Sequence, residues 1–219
     1  PGNKNSISNN YIMSLAEDHT GYIWIGTHLD GLNRLNPSTG ENKIFLHRDD
    51  DLELISNSGV TDIFEDHNGT LWIGTWYGLN RFNRTTGKFI RFLSDPEDPK
   101  SLGNNSIWKI FEDSKKNLWI GTDGGGVSLM NTKLNSFTNF VYDSTGKNCI
   151  SNNRVLDIFE SKDGTMWFGT ADGLSSYNTE TGKFKVYRKE NGLSGNLIAG
   201  IEEDNNGFLW ISTDYGLSK

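Results

Sequence analysis

The stretch Phe64-Glu-Asp-His-Asn-Gly-Thr-Leu-Trp72-Ile-Gly-Thr75 decides the fold, because the chain keeps returning to it. Ala16-Glu-Asp-His-Thr-Gly-Tyr-Ile-Trp24-Ile-Gly-Thr27 precedes it, and further variants surround Trp119, Trp167 and Trp210. Successive tryptophans lie 48, 47, 48 and 43 residues apart. One supersecondary unit per ~40 to ~50 residues is the period of four-stranded propeller blades.

Working outward from Trp72, each part of the repeat reads as a strand or a turn. Val60 to Glu65 is rich in β-formers and ends at Asp66-His-Asn-Gly69, where Asp can cap a turn and Gly can take a positive φ. Thr70 to Thr75 is a second strand, Trp76-Tyr-Gly78 turns the chain, and Leu79 to Asn83 is a third. Arg84-Thr-Thr-Gly87 leads into a fourth, Lys88 to Leu93. The last turn has counterparts in Pro37-Ser-Thr-Gly40 and Thr179-Glu-Thr-Gly182, and Asn135 stands in for the Gly in the third repeat. Asn is the next-best residue for a left-handed conformation.

Apolar pairs three apart, such as Leu79 with Phe82 and Val127 with Met130, would suit a helix, but segments of five or six residues bounded by Gly and Asn are too short for one. On strands that spacing places an apolar group on each face. Both faces of every small sheet must then be covered, as stacking blades against one another does. The expected fold is an all-β propeller with blades at 11–48, 59–93, 106–140 and 153–187 and a partial one at 197–219, within a single domain spanning 1–219. Trp24, Trp72, Trp119, Trp167 and Trp210 are read as structural wedges between blades. Pro1-Gly-Asn-Lys-Asn-Ser6 reads as a loop with no spare strand for the last blade, so the chain is expected to be a fragment of a larger propeller, open or completed by another copy.

With a net charge of -7 over 219 residues, nothing basic enough to track a phosphate backbone is present, which argues against nucleic acid as a partner. The lone Cys149 cannot form an intramolecular disulfide and leaves the compartment open. No apolar run approaches a membrane span, and no signal peptide is visible.

Glu-Asp-x-x-Gly-x-Leu-Trp-Ile-Gly-Thr followed by Gly-Leu-Asn-Arg-Phe-Asn and a Thr-Gly-Lys-Phe turn resembles the two-component regulator propeller repeat, five times over. That repeat builds the periplasmic sensor region of hybrid two-component histidine kinases of Bacteroides type. The resemblance implies two seven-bladed propellers in tandem, an immunoglobulin-like β-domain, a membrane helix and a cytoplasmic kinase. It further implies detection of oligosaccharides to control polysaccharide-utilisation genes, with no catalysis and no cofactor in this segment. The expected partners are an oligosaccharide, the remaining blades and downstream domain of the parent chain, and, as a possibility, a second copy in a homodimer. A protein-interaction or structural propeller and a glycan-active enzyme are the alternatives.

In a propeller the first-to-second and third-to-fourth strand turns share one end of the blades. The second-to-third loops and the connections between blades share the other. The former are short and repetitive here, whereas the latter differ from blade to blade, and variable loops on a rigid frame are the usual place for recognition. A sugar needs a flat apolar surface for its C–H face and planar amides or carboxylates for its hydroxyls. Trp76, Tyr77 and Tyr215 with Asp30, Asp123, Asp172 and Asp214 supply those types, and Arg154 suits an acidic sugar or a surface ion pair. Asn and Asp are also ordinary turn formers.

No catalytic residues and no metal ligands are expected. His28 and His47 lack a second His or Cys at metal spacing, and Asp49-Asp-Asp51 with Glu53 lacks the alternation of a calcium loop. Asp66-His-Asn-Gly-Thr-Leu-Trp72 misses the sialidase-type Asp box by one residue. Ala16 to Trp24 misses the docking motif of quinone-dependent dehydrogenase propellers in spacing.

Overall fold

A computed structural model describes residues 6–219 of the chain, so all of the loop expected at the N-terminus except Ser6 lies outside the described residues. The described chain is all-β, in five antiparallel sheets whose strands each pair with their neighbours in sequence. The first holds β1 (Ile12–Glu17), β2 (Ile23–Thr27), β3 (Leu32–Leu35) and β4 (Asn42–Phe45). The second holds β5 (Val60–Glu65), β6 (Leu71–Thr75), β7 (Gly78–Asn83) and β8 (Lys88–Phe92). β9 (Ile107–Glu112), β10 (Leu118–Thr122), β11 (Val127–Asn131) and β12 (Ser136–Phe140) form the third. β13 (Val155–Glu160), β14 (Met166–Thr170), β15 (Gly173–Asn178) and β16 (Lys183–Tyr187) form the fourth, and β17 (Ile198–Glu203), β18 (Leu209–Thr213) and β19 (Gly216–Ser218) the partial fifth. Four full blades and part of another are thus present, as the repeat demands.

The chain divides into two compact units. One comprises the described residues up to Asp95 with Asn105–Ile110, and the other comprises Pro96–Asn104 with Phe111–Lys219. The core of the first gathers Trp24, Leu32, Phe45, Ile55, Val60, Ile63, Leu71, Ile73, Phe82 and Phe89. In the second, Trp119, Val127, Ile150, Val155, Ile158, Met166 and Phe168 form one cluster and Leu174, Ile198, Ile201 and Ile211 another.

Each letter of the repeated phrase has a physical task. The Trp24 ring is fully buried between Phe45 of its own blade, at 5.8 Å, and Phe82 of the next, at 5.0 Å. Trp119 lies in the same way between Phe140 and the pair Phe168 and Tyr177. A buried indole N–H needs an acceptor, and the carboxylate six residues upstream supplies it. Trp24, Trp72, Trp119 and Trp210 donate to Asp18, Asp66, Asp113 and Asp204 at 2.7, 2.9, 2.9 and 3.0 Å. The same carboxylates accept turn N–H groups, as Asp66 does from Asn68 and Thr70. One side chain therefore shapes the turn and holds the ring.

The Gly two residues after Trp is needed for close approach. A Cβ on Gly26 would come within 2.6 Å of Val60, and on Gly74 within 2.7 Å of Ile107, so the first residue of the next blade's inner strand occupies that space. The Thr that follows clamps the loop beyond it. The hydroxyls of Thr27, Thr75, Thr122, Thr170 and Thr213 donate to the carbonyls of Gly31, Gly78, Gly126, Gly173 and Gly216 at 2.8 to 3.0 Å. Asn135, which replaces Gly in the third repeat's last turn, takes φ 51°.

Adjacent blades are tied at both ends of their strands. At the turn end, the N–H groups of His19, Ser114 and Lys162 donate to Glu65, Glu160 and Glu203 of the next inner strand at 2.6 to 2.7 Å. At the loop end, Gly31, Gly78, Gly126 and Gly173 donate to the carbonyls of Ser58, Asn105, Asn153 and Asn196. Between these, a register shift near the start of the inner strands accompanies Asp62 and Asp157, which accept from the N–H groups of Ile110 and Ile201. Burial pushes the Asp62 carboxyl above its ordinary range.

Candidate ligand-binding face

The loop end of the first unit is aromatic. Trp76 follows the clamped Thr75 and its N–H donates to Gly59 at 3.0 Å, which fixes the first residue of the loop against the start of its own blade's inner strand. Its indole is half-buried and meets Trp108 edge to face at 4.9 Å and His28 at 6.4 Å. His28 in turn lies 5.0 Å from Tyr11. Tyr77, the next loop residue, is 53% exposed. Asp30 is exposed and accepts from the side-chain amide of Asn9 at 2.5 Å, while the Asn9 oxygen accepts the N–H of Tyr11 at 2.6 Å.

The loop end of the second unit is ionic. Asp123 pairs with Arg154 at 3.2 Å, and the two residues also form an isolated β-bridge. Asp172 pairs with Arg188 at 3.4 Å and accepts from Asn196 at 3.1 Å. Asp214 donates its N–H to Leu197, and its carboxylate lies where a Cβ on Gly195 would fall. Tyr215 is 74% exposed with the Lys189 ammonium 4.9 Å from its ring centre.

Of the residues singled out from the sequence, Trp76, Tyr77 and Asp30 lie at the loop end of the first unit. Asp123, Arg154, Asp172, Asp214 and Tyr215 lie at that of the second. The carboxylates Asp30, Asp123 and Asp172 already have partners of their own, so a ligand hydroxyl would share or displace an existing hydrogen bond. Tyr11, His28 and Trp108 join Trp76 in one set of ring contacts that the sequence reading did not assemble. The available signal was that each occupies a position where the other repeats carry unrelated residues.

The turn end offers a contrasting surface. A shallow cleft of about 490 Å³ in the second unit is lined by Ser161, Lys162, Asp163, Trp167 and Glu203 among others. Lys162 and Glu203 are already engaged with one another there, by a backbone hydrogen bond and an ion pair. Among the described residues no group of three or more His, Cys, Asp or Glu is placed to hold a metal ion. No helix among them is long and apolar enough to cross a membrane.

Comparison with known proteins places this geometry. A family model, the two component regulator propeller, matches residues 6–28, 54–77, 101–124, 149–172 and 192–215. Among solved structures, the extracellular domain of a protein described as a hybrid two component system of B. thetaiotaomicron is 26% identical, with a TM-score of 0.82 over 96% of this chain and 28% of that one. A second such domain from the same organism is 24% identical with a TM-score of 0.77, over 95% of this chain and 29% of that one. The chain thus spans under a third of the length of either structure. Virginiamycin B lyase from Staphylococcus aureus shares the fold at 16% identity, with a TM-score of 0.65 over 92% of this chain and 62% of that one. A search of curated proteins finds no match. The five matched repeats cover more than half of the sequence, and the chain belongs to the two component regulator propeller family.

Proposed function

We propose that this chain is a ligand-sensing segment of the periplasmic region of a hybrid two-component histidine kinase, and that its ligand is an oligosaccharide whose arrival controls polysaccharide-utilisation genes. In this reading it binds and does not catalyse, and the remaining blades and a downstream domain of the parent chain carry the signal onward. The reading rests above all on membership of the regulator propeller family, whose relatives include extracellular domains of hybrid two component systems. The division of labour within each blade agrees with it. The turn end repeats one set of hydrogen bonds, while the loop end varies its side chains on a fixed backbone, which suits recognition.

The test is a thermal-stability screen against oligosaccharides of different linkage and charge. A ligand that binds only the folded state at a hundredfold excess over its Kd stabilises by ~2.7 kcal/mol, enough to raise Tm by roughly 5 to 11 °C in a chain of this size. One class of sugar is expected to do so without being consumed. Conversion of the sugar into products would replace the sensor reading with an enzymatic one, and a flat response to every sugar would reject carbohydrate sensing by this segment.

A further inference from the structure

The ring contacts at the loop end of the first unit are not required by the repeat. The position of His28 and Trp76 is filled by Asp123, Ala171 and Asp214 in the other repeats. The position of Tyr11 is filled by Gly59, Ser106, Arg154 and Leu197, and that of Trp108 by Met13, Thr61, Leu156 and Ala199. Strands form and blades stack with any of these, so the fold alone does not call for the aromatic series. Gly59 is adapted to it. A Cβ there would come within 2.1 Å of Trp76 Cδ1 and 2.7 Å of the His28 carbonyl oxygen, so its bare backbone is what seats the indole.

The rings also remain accessible. Tyr11 is 63% exposed, and His28, Trp76 and Trp108 are each partly exposed. Their centres lie 5.0, 6.4 and 4.9 Å apart with planes inclined by 53°, 75° and 83°, so the rings offer faces and edges in turn. Aromatic side chains clustered at a surface and left partly open to water suit a contact site. Beside Tyr11 stand the carboxylate of Asp30 and the amide of Asn9, planar polar groups suited to hydroxyls.

We propose that Tyr11, His28, Trp76 and Trp108 form an aromatic platform for a neutral oligosaccharide, with Asp30 and Asn9 reading hydroxyls at its Tyr11 end. This assigns a site within the sensing role proposed above and rests on that reading. The slightly positive C–H face of a sugar ring meets the negative face of an aromatic quadrupole. The Asp30 carboxylate at the Tyr11 end repels uronate or sulfated sugars. A proline-rich peptide also stacks on aromatic grooves, but it has few donors for a carboxylate and is the less suited occupant.

The test is calorimetric titration of the chain with cello-, xylo-, arabino-, manno- and fructo-trisaccharides, trigalacturonate and decaproline, repeated on variants. At least one neutral trisaccharide is expected to bind and trigalacturonate is not. Trp76→Ala and His28→Ala are expected to weaken binding tenfold or more, and Tyr215→Ala, in the second unit, by less than twofold. His28→Ala keeps both indoles and Gly59, so it reports on the platform even where Trp76→Ala unfolds the blade. Unchanged neutral-sugar binding in His28→Ala and Trp76→Ala would overturn the platform while leaving carbohydrate sensing in place. Preference for trigalacturonate, or decaproline binding that depends on Trp76, would overturn the assigned ligand. Silence toward every sugar would sink the sensing role and the platform with it.

Discussion

The two ends of the strands follow different rules. At the turn end the same kinds of group recur: a carboxylate with an indole N–H six residues on in four of the five blades, and a Glu from the next inner strand beside it in the first and third. At the loop end the backbone repeats as faithfully, with Thr clamping a Gly carbonyl and that Gly donating to the next blade. The side chains carried on it change, however, from His28 and Trp76 to Asp123, Ala171 and Asp214. What this teaches is that one invariant end, together with an invariant loop backbone, frees the loop side chains to vary without loss of fold. The sharpest way to break the comparison is to truncate one tryptophan at each end. Trp119→Ala removes a buried ring and the indole donor of Asp113, which is itself buried and keeps its bonds from Lys115 and Asn117. It is expected to cost ~3 to ~5 kcal/mol in urea unfolding, against under about 2 kcal/mol for the half-buried Trp76→Ala. Equal costs would mean that the loop end is framework as well.

Asp18 sharpens the turn-end half. Its carboxylate is fully enclosed and receives Arg84 at 2.7 Å, Thr20 at 2.5 Å and the Trp24 indole. Burial alone would raise its pKa, but these hydrogen bonds overcome it and hold the carboxyl well below the usual range. Asp18→Ala leaves the Trp24 indole without its acceptor and removes one of the two carboxylates that Arg84 pairs with, and is expected to cost about 3 kcal/mol at neutral pH. The sign with pH follows from linkage. A depressed folded-state pKa contributes stability that is complete above the unfolded value, ~3.9, and is lost as pH falls toward the folded one. The stability gap between wild type and Asp18→Ala should therefore be flat above about pH 5 and shrink below about pH 4. A gap that does not change down to pH 2 would show that Asp18 acts through packing and not through its charge.

Much of the fold was legible because it is written in a local period. The Trp spacing and the Gly-bearing turns bring out five sheets, and the observed strands begin and end within a residue or so of the β-rich runs. The reason for Asp in the turn was only half legible. It reads as a turn former, and its grip on the indole appears once strand pairing folds the hairpin. The fourth repeat shows the limit of motif reading. Ser161-Lys-Asp-Gly164 displaces the acid by two residues, and Trp167 donates to the Ser161 hydroxyl at 2.9 Å. That hydroxyl donates in turn to Asp163 at 2.6 Å, which lowers the Asp163 pKa. The carboxylate reaches the ring at second hand. At the loop end almost nothing local distinguishes Tyr11, His28 and Trp108, because their contacts join residues 17 to 48 positions apart and depend on how one blade meets the next.

Trp210 offers a milder test at the turn end. It keeps its hydrogen bond to Asp204 and is 36% exposed, where Trp24, Trp72 and Trp119 are buried. Trp210→Ala is therefore expected to cost about 1 kcal/mol, measured by the same urea titration as Trp119→Ala. If the two cost the same, the indole works through its hydrogen bond to the turn and burial between blades is secondary.

The smallest effect belongs to the loop end of the second unit. Arg154 and Asp123 pair at 3.2 Å with both side chains well exposed, and exposed pairs contribute 0 to ~1 kcal/mol. Their loop has a backbone anchor besides: Asp123 and Arg154 form a β-bridge, and the Gly124 and Gly126 N–H groups both donate to the Asn153 carbonyl. Arg154→Ala should then shift stability by under about 1 kcal/mol, and by less still in 1 M salt, where the screening length falls to ~3 Å. Such a result keeps the loop side chains free to change with the ligand. A cost above about 2 kcal/mol that persists at high salt would make the pair part of the framework, and the separation between a rigid turn end and an adaptable loop end would then fail in the second unit.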